Sequence, residues 1–346
     1  MGKTLMVAIQ QILGALGNYA FPGGKPTIDW GGSSSVTYSV TYPSDSKVTH
    51  TGAGDTVELG NSLEVTLGIA SGNDLYAIKD SSVKVYMGGV EQIGAYNAAT
   101  QKVTLAAVTA NVVIVAEAWT YVDRGLVLHL DGRNRGGTAG KWKSLVDYNS
   151  NPLYFKLENC DEQSDYVAGN GTNSKGTAFS NPELTTPVTL LDVAAAEGTI
   201  EAAYGNAELA SNGNLCIMHN ALGTGNRICL MSWKDSQDAD KNQIVMRTSG
   251  TTIQGSAYKM PNTSIVNGSY MSFLLGSLML DGTKYTTASE YSQVTNEASL
   301  LSIFYRKVSN EQYYKLRLYA LRVYSVQLKD EERDRNYAID KKRFNL

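Results

Sequence analysis

Hydrophobic and polar residues alternate along most of this chain, with the period of two that a half-buried β-strand requires. Val36, Tyr38, Val40 and Tyr42 share one face of VTYSVTY, and SLEVTLGI, SVKVYMGG, KVTLAAV and NVVIVAEA follow at the spacing of a small antiparallel sandwich. The pattern resumes where Leu126, Leu128 and Leu130 alternate with Val127, His129 and Asp131, and that strand runs out at the turn pair Asp131 and Gly132. Two stretches depart from it. Leu5, Ile9, Ile12 and Leu16 follow helical spacing, which predicts a short N-terminal helix ending before Gly17 and Asn18. At the other end, a strand of alternating residues runs straight into LKDEERDRNYAIDKKRF, a segment made largely of charges.

Charge order within that last segment predicts a second helix. Asp330, Glu331 and Glu332 would occupy its first turn and Lys341, Lys342 and Arg343 its last, each sign complementing the helix dipole. Glu331 and Arg335 are spaced to pair, and Tyr337 and Phe344 share a face that would pin a solvated helix to a finished core. The N-terminal helix cannot be stable alone in water. It must bury its stripe against its own domain, sister chains or a larger assembly, and FPGGKPTIDWGGSSS after it reads as a linker.

At 346 residues the chain exceeds what one core usually serves, so two domains are expected. Its 33 acidic and 30 basic residues leave a net charge of -3, which excludes a basic nucleic-acid footprint. With 33 Gly and 21 Tyr the composition favours short strands and tight turns, so the fold class is all-β. Three cysteines, an odd number, argue against a disulfide framework. Cys216 and Cys229 flank a hairpin and would lie roughly opposite each other around Leu222 and Gly223, as two buried thiols or as a cross-strand disulfide. Gln10 and Gln11 interrupt the N-terminal apolar stretch and no cleavage triplet follows, so neither a signal peptide nor a membrane span is expected.

Candidate chemistry is thin. Retaining glycoside hydrolysis needs two carboxylates about 5 Å apart, which on a strand means one face at even spacing. Glu158 and Asp161 are three apart and Glu201 stands alone. His50, His129 and His219 lie in unrelated contexts, leaving no material for a Ser-His-Asp or zinc constellation, and GNGTNSKG lacks a phosphate-binding motif. Asp235, Asp238 and Asp240 cluster within a turn-sized span and form the one Ca²⁺ candidate, flanked by Lys234 and Lys241, with a solvated loop as the plainer reading. Tyr148, Tyr154, Trp233, Tyr258, Tyr270 and Tyr291 fall in or beside expected loops, where a ring could stack on a sugar or pack as a core rim.

The segments VTYSVTY, GDTVELGNSLEVTL and YAIKDSSVKVYMGGVEQIGAYNAATQKVTLAAVTANVVIVAEA resemble a small Ig-like domain common in bacteriophage virion proteins, with Met87, Gly88 and Gly89 matching its Met-Gly-Gly turn. Ala110 and Val115 depart from its closing strand. RGLVLHLDG, then WKSLVD with Trp142, Lys143 and Leu145 but Ser144 for Asp, then GTIEAAY with Glu201, resemble a laminin-G-like, concanavalin-A-like jelly roll. Its closing strand, with Arg322 and Tyr324, and its terminal helix are matched through NYAIDKKRF, though Lys329 replaces a capping hydroxyl and Arg333 the usual Ile. The resemblance implies an N-terminal helix and linker over 1–35 for anchoring, an Ig-like sandwich over 36–120 and a jelly roll over 121–346, joined by a linker around Thr120 to Arg124. It implies a non-enzymatic virion structural protein of head- or tail-fibre or decoration type, made in the host cytoplasm and exposed on the particle. Such a protein would contact other virion proteins through Leu5, Ile9, Ile12 and Leu16, self-associate, for instance as a trimer, and touch a host-surface glycan. The alternatives are a secreted bacterial glycan-binding adhesin and a glycoside hydrolase.

Overall fold

The computed structural model describes residues 35–188, 198–222, 226–234, 240–249, 257–274, 276–286, 298–307 and 311–346. The expected N-terminal helix and its stripe lie outside them. The chain is all-β, built as two pairs of facing sheets with a helix at its C-terminal end.

The first sandwich packs a five-stranded sheet on a four-stranded one. In the former, Thr37–Thr41 pairs in parallel with Val112–Val115, and Lys84–Met87 lies antiparallel on the other side. In the latter, Leu63–Ile69 is flanked by Val48–Gly52 and Lys102–Leu105. The alternation decides the core. Leu63, Val65 and Leu67 from one sheet meet Val85, Val112 and Ile114 from the other, all buried, while Glu64, Val113 and Val115 face outward. Tyr76–Ile78 follows the four-stranded sheet and pairs with Ala118–Thr120 in a separate two-stranded sheet, so the chain enters the second sandwich beside a strand of the first.

Among the described residues each sheet of the second sandwich has eight strands. Lys315–Tyr324 is the centre of one of them. Thr199–Glu208 lies along one edge, and Val167–Asn170 and Leu126–Asp131 share the other end to end. Its inward residues Leu316, Leu318, Leu321 and Val323 enter a core with Leu128, Leu130, Trp142, Phe155 and Phe273. Between Leu318 and Leu321 the register slips, because Ala203 faces Ala320 while Tyr204 faces Leu318. This bulge keeps Leu321 and Val323 inside and turns Ala320, Arg322 and Tyr324 to the outer face. That face would be apolar or wet in an ordinary sandwich; here Asp330–Phe344 covers it.

Two details revise the sequence reading. The hairpin of Leu215–Leu222 and Asn226–Lys234 places Cys216 opposite Met231 and Cys229 opposite His219, so the two cysteines are not cross-strand neighbours. The register slips between Cys216 and Met218, which sequence spacing could not show. Cys216 is a buried thiol whose Sγ–H donates to the Met218 carbonyl. The segment expected as a linker is also structural: Tyr121 and Val122 are 5% exposed. Their few apolar atoms are spent on the junction described below.

Gly132 ends the strand Leu126–Asp131 beneath the backbone of Asp165, where a Cβ would sit 2.1 Å from the Asp165 carbonyl oxygen. Gly132→Ala is therefore expected to destabilise the fold by about 2–3 kcal/mol in urea denaturation, since backbone must move to admit a methyl group. A loss under about 0.5 kcal/mol, the range of ordinary surface changes, would mean the approach is not as close as described.

Candidate functional site

Among the described residues, the feature with the most chemistry is the floor beneath the terminal helix. From below, Glu201 on Thr199–Glu208, Ser272 on Tyr270–Leu274, Arg322 and Tyr324 on the central strand, and His129 and Asp131 on Leu126–Asp131 point to the outer face, all buried. From above, the helix lowers Arg333, Asn336, Asp340 and Arg343, each 5% exposed or less. These four are spaced three, four and three apart, the spacing of one helix face.

Arg322 is the hub. Its Nε donates to Glu201 Oε2 at 3.2 Å and its Nη1 to Asp340 Oδ1 at 3.1 Å, while Nη2 donates to Asp340 Oδ2. Glu201 also accepts from Asn336 Nδ2 at 2.8 Å and from the Ser272 hydroxyl at 3.1 Å. Arg333 caps the far side, donating to the Ser272 carbonyl and hydroxyl and to the Ser277 hydroxyl. At the near side Arg343 donates through both Nη atoms to Asp131, and through Nη1 to Tyr121 Oη at 2.6 Å. Tyr121 in turn donates to Asp340 Oδ1 at 2.7 Å. Glu201 and Asp340 thus share Arg322, Asp131 meets Arg343, and Arg333 is held by serine and carbonyl oxygens, with Asp330 at 3.5 Å. The cluster is densely hydrogen-bonded, the condition under which charges can be buried at tolerable cost.

Burial and partners set the protonation states. Burial opposes the charge on Arg322, but Asp340 and Glu201 outweigh it and hold the guanidinium protonated. Burial alone would raise Asp131, yet hydrogen bonds and charge from Arg343 bring it below the usual carboxylate range. Burial, followed by the charge of Arg322, pushes His129 down to about 3, so it is neutral at physiological pH. The Tyr121 hydroxyl is raised far above its ordinary value by burial and by Asp340.

The cluster also reaches the first sandwich. Val122 N–H donates to Asn336 Oδ1 at 3.0 Å, and the Val122 carbonyl accepts from Tyr324 Oη. Ile339 packs with Ala77 and Tyr121. Lys342 Nζ donates to the Ile78 carbonyl at 3.0 Å and to Asp80, and Arg335 donates to the Thr120 carbonyl with its guanidinium over the Trp119 ring. One helix is therefore bonded to both sandwiches.

Beside this junction lies a cleft. Its inner chamber, about 230 Å³, is bounded by the loop before Tyr76–Ile78, by Gln101, by Arg133 and by Lys342 and Arg343. An outer chamber of about 350 Å³ runs on between Asn73, Asp74, Tyr76, Asn134 and Leu145. Asn73, Asp74 and Tyr76 line both chambers.

The helix differs from its expectation in a specific way. It is charged because its partners are charged, and it is not a solvated cover. Arg333 satisfies serine and carbonyl acceptors, so it anchors the helix. The helix start has half of a capping box, with Glu332 accepting from Lys329 N–H at 2.7 Å. Arg335 turns to Thr120, and Glu332 pairs with Arg124. Tyr337 does pack as expected, 5.1 Å from the Tyr270 ring, and Phe344 lies 5.5 Å from that of Tyr319. Ser144 accepts from the His129 and Val146 amides.

Other sequence candidates scatter. Asp235 and Asp238 lie outside the described residues, and Asp240 is exposed. Among the described residues no group of three His, Cys, Asp or Glu could hold a metal ion. Glu158 is tied to Lys156 and Lys175 and sits apart from the junction. Tyr148 and Tyr270 are core residues, Tyr154 is half-buried under Lys143, Trp233 and Tyr258 lie on strands, and Tyr291 falls outside the described residues.

No family model and no curated protein matches the chain. Solved structures resemble it in fold. Trypanosoma rangeli sialidase in complex with sialic acid aligns at 14% identity and a TM-score of 0.42, covering 65% of this chain and 34% of that one. Its covalent intermediate with 2,3-difluorosialic acid aligns at 12% and 0.42, covering 72% and 36%. The receptor binding domain of botulinum neurotoxin C/D mosaic serotype aligns at 12% and 0.40, covering 62% and 51%. This chain spans about a third of the sialidases' length and about half of the toxin domain's. The likeness is one of β-architecture. It corrects one expectation: the residues suggested a chain without enzymatic activity, whereas its structural neighbours include sialidases, which are enzymes, so that exclusion is withdrawn.

Asp340→Ala should destabilise the protein by about 3–5 kcal/mol in chemical denaturation, because it leaves Arg322 buried with half its compensation gone. A cost under about 1 kcal/mol, that of an exposed pair, would show that water reaches the site. A second expectation concerns pH. Because folding depresses His129 from 6.5 to about 3, the unfolded chain binds the extra proton between those values. Its contribution to stability is complete above pH 6.5 and is lost progressively as pH falls toward 3. Replacing it, His129→Gln, should flatten the fall in melting temperature between pH 7 and pH 4; an unchanged slope would mean His129 is already solvated.

Proposed function

We propose that this chain is a structural display protein of a phage virion, presenting its two sandwiches for adhesion at a host surface. One observation carries the reading: a single helix, bonded through buried charges to the second sandwich and through Lys342, Ile339 and Arg335 to the first, couples the two sandwiches. A body that must hold a surface outward under load gains from such a junction, since a flexible linker would let the outer sandwich swing. Support from the sequence is the Met87-Gly88-Gly89 turn and the closing-strand and helix pattern from Arg322 to Phe344. In this reading the segment bearing Leu5, Ile9, Ile12 and Leu16 attaches the chain to other virion proteins or to its own copies.

The test is location. Antibodies raised against the folded chain should label the surface of purified intact particles in electron microscopy, and the chain should be present in their protein inventory at stoichiometric level. Recovery solely from the bacterial envelope or culture medium would contradict the reading and favour a secreted adhesin.

A further inference from the structure

We infer that the cleft between the two sandwiches is a binding site for an acidic sugar, a pyranose carrying one carboxylate. The inference takes from the display reading the source of the ligand, a surface glycan; the site itself rests on the cleft's own chemistry.

Two chambers that meet along Asn73, Asp74 and Tyr76 together fall within the range of small-molecule sites, roughly 300–1,000 Å³. The inner chamber is lined by three cations, Arg133, Lys342 and Arg343. Lys342 is neutralised by Asp80 and Arg343 by Asp131. Arg133 has no carboxylate partner among the described residues, and its guanidinium rests 5.5 Å from the Phe344 ring centroid. Arg343 is 5% exposed with both Nη atoms used, so Arg133 is the cation of the chamber that meets a ligand. A carboxylate in the inner chamber supplies oxygens to Arg133, and a guanidinium is the side chain best matched to that geometry.

The rest of the cleft suits a sugar ring. Asp74, without an ionic partner among the described residues, accepts from hydroxyls, and Gln101 and Asn134 offer paired donors and acceptors. Tyr76 lines both chambers, with Lys47 Nζ over its ring 5.4 Å from the centroid, and adds aromatic surface beside a pyranose. Asp74 also disfavours small multivalent anions, so a sugar with one carboxylate fits better than a phosphate.

Titration of the intact chain with glucuronate, followed by heteronuclear NMR, tests this directly, with glucose as the neutral control and inorganic phosphate as the simple anion. Shifts should concentrate at residues 71–76, 101, 133 and 134. Glucuronate should bind at least about tenfold more tightly than glucose or phosphate, and Arg133→Ala, an exposed position whose fold is checked by circular dichroism, should remove that preference. Equal affinity for glucuronate and glucose, stronger binding of phosphate, binding unchanged in Arg133→Ala, or no shifts in the cleft up to about 10 mM, would each overturn the inference. Particle labelling is independent of these outcomes, so a chain displayed on virions with an unresponsive cleft refutes the ligand and leaves the display reading standing.

Discussion

Arg322 carries a positive charge at 0% exposure, and much else in this structure is arranged so that it can. A guanidinium removed from water is tolerated only if carboxylates and hydrogen bonds replace the hydration it loses. Glu201 comes from the neighbouring strand and Asp340 from the helix, so the compensation is complete only when the helix is docked. The helix therefore does more than shield an apolar face. Its docking is the step that makes the interior of the outer face electrically whole, and removing it would leave two buried acids, Glu201 and Asp131, and the Arg322 guanidinium without their partners on the helix.

That dependence reaches across the molecule because the same helix face ends at the first sandwich. Asn336 binds both Glu201 and the Val122 amide, and Tyr121 sits between Asp340 and Arg343 with the Arg322 guanidinium 4.4 Å from its ring centroid. The connecting residues are thus members of the network, and the relative placement of the sandwiches follows from the charges beneath the helix. Ion pairs at such a site impose direction where apolar packing would permit sliding, which is the best-attested use of buried charge. The cleft beside the junction inherits its shape from this fixation, since its walls belong to both sandwiches and its floor to the helix end.

The sequence makes the strands legible and the junction largely illegible, for a physical reason. Alternation of period two locates Leu126–Asp131 and Lys315–Tyr324 because burial there follows hydrophobicity. On the outer face burial does not follow hydrophobicity. Arg333, Asn336, Asp340 and Arg343 recur with the period of a buried helix stripe, yet every one is polar, so a search for apolar periodicity passes over them and reads a solvated helix. A stripe of polar residues at that spacing, facing a strand with Arg322 and Tyr324, was the available signal. The bulge at Tyr319, which turns Arg322 outward, has no signature in composition, and the Cys216 register fails for the same kind of reason. The cleft lay beyond sequence altogether, because Arg133 approaches Asp74 and Gln101 only once the two sandwiches are joined.

The central claim is that the buried ionic junction holds the two sandwiches as one rigid body. Residual dipolar couplings of backbone amides, measured on the intact chain in a weakly aligning medium, report it most directly. A single alignment tensor is expected to fit amides of both sandwiches, with equal magnitude and orientation. Two distinct tensors, or a markedly weaker one for the first sandwich, would show that the lobes reorient independently and would contradict the account.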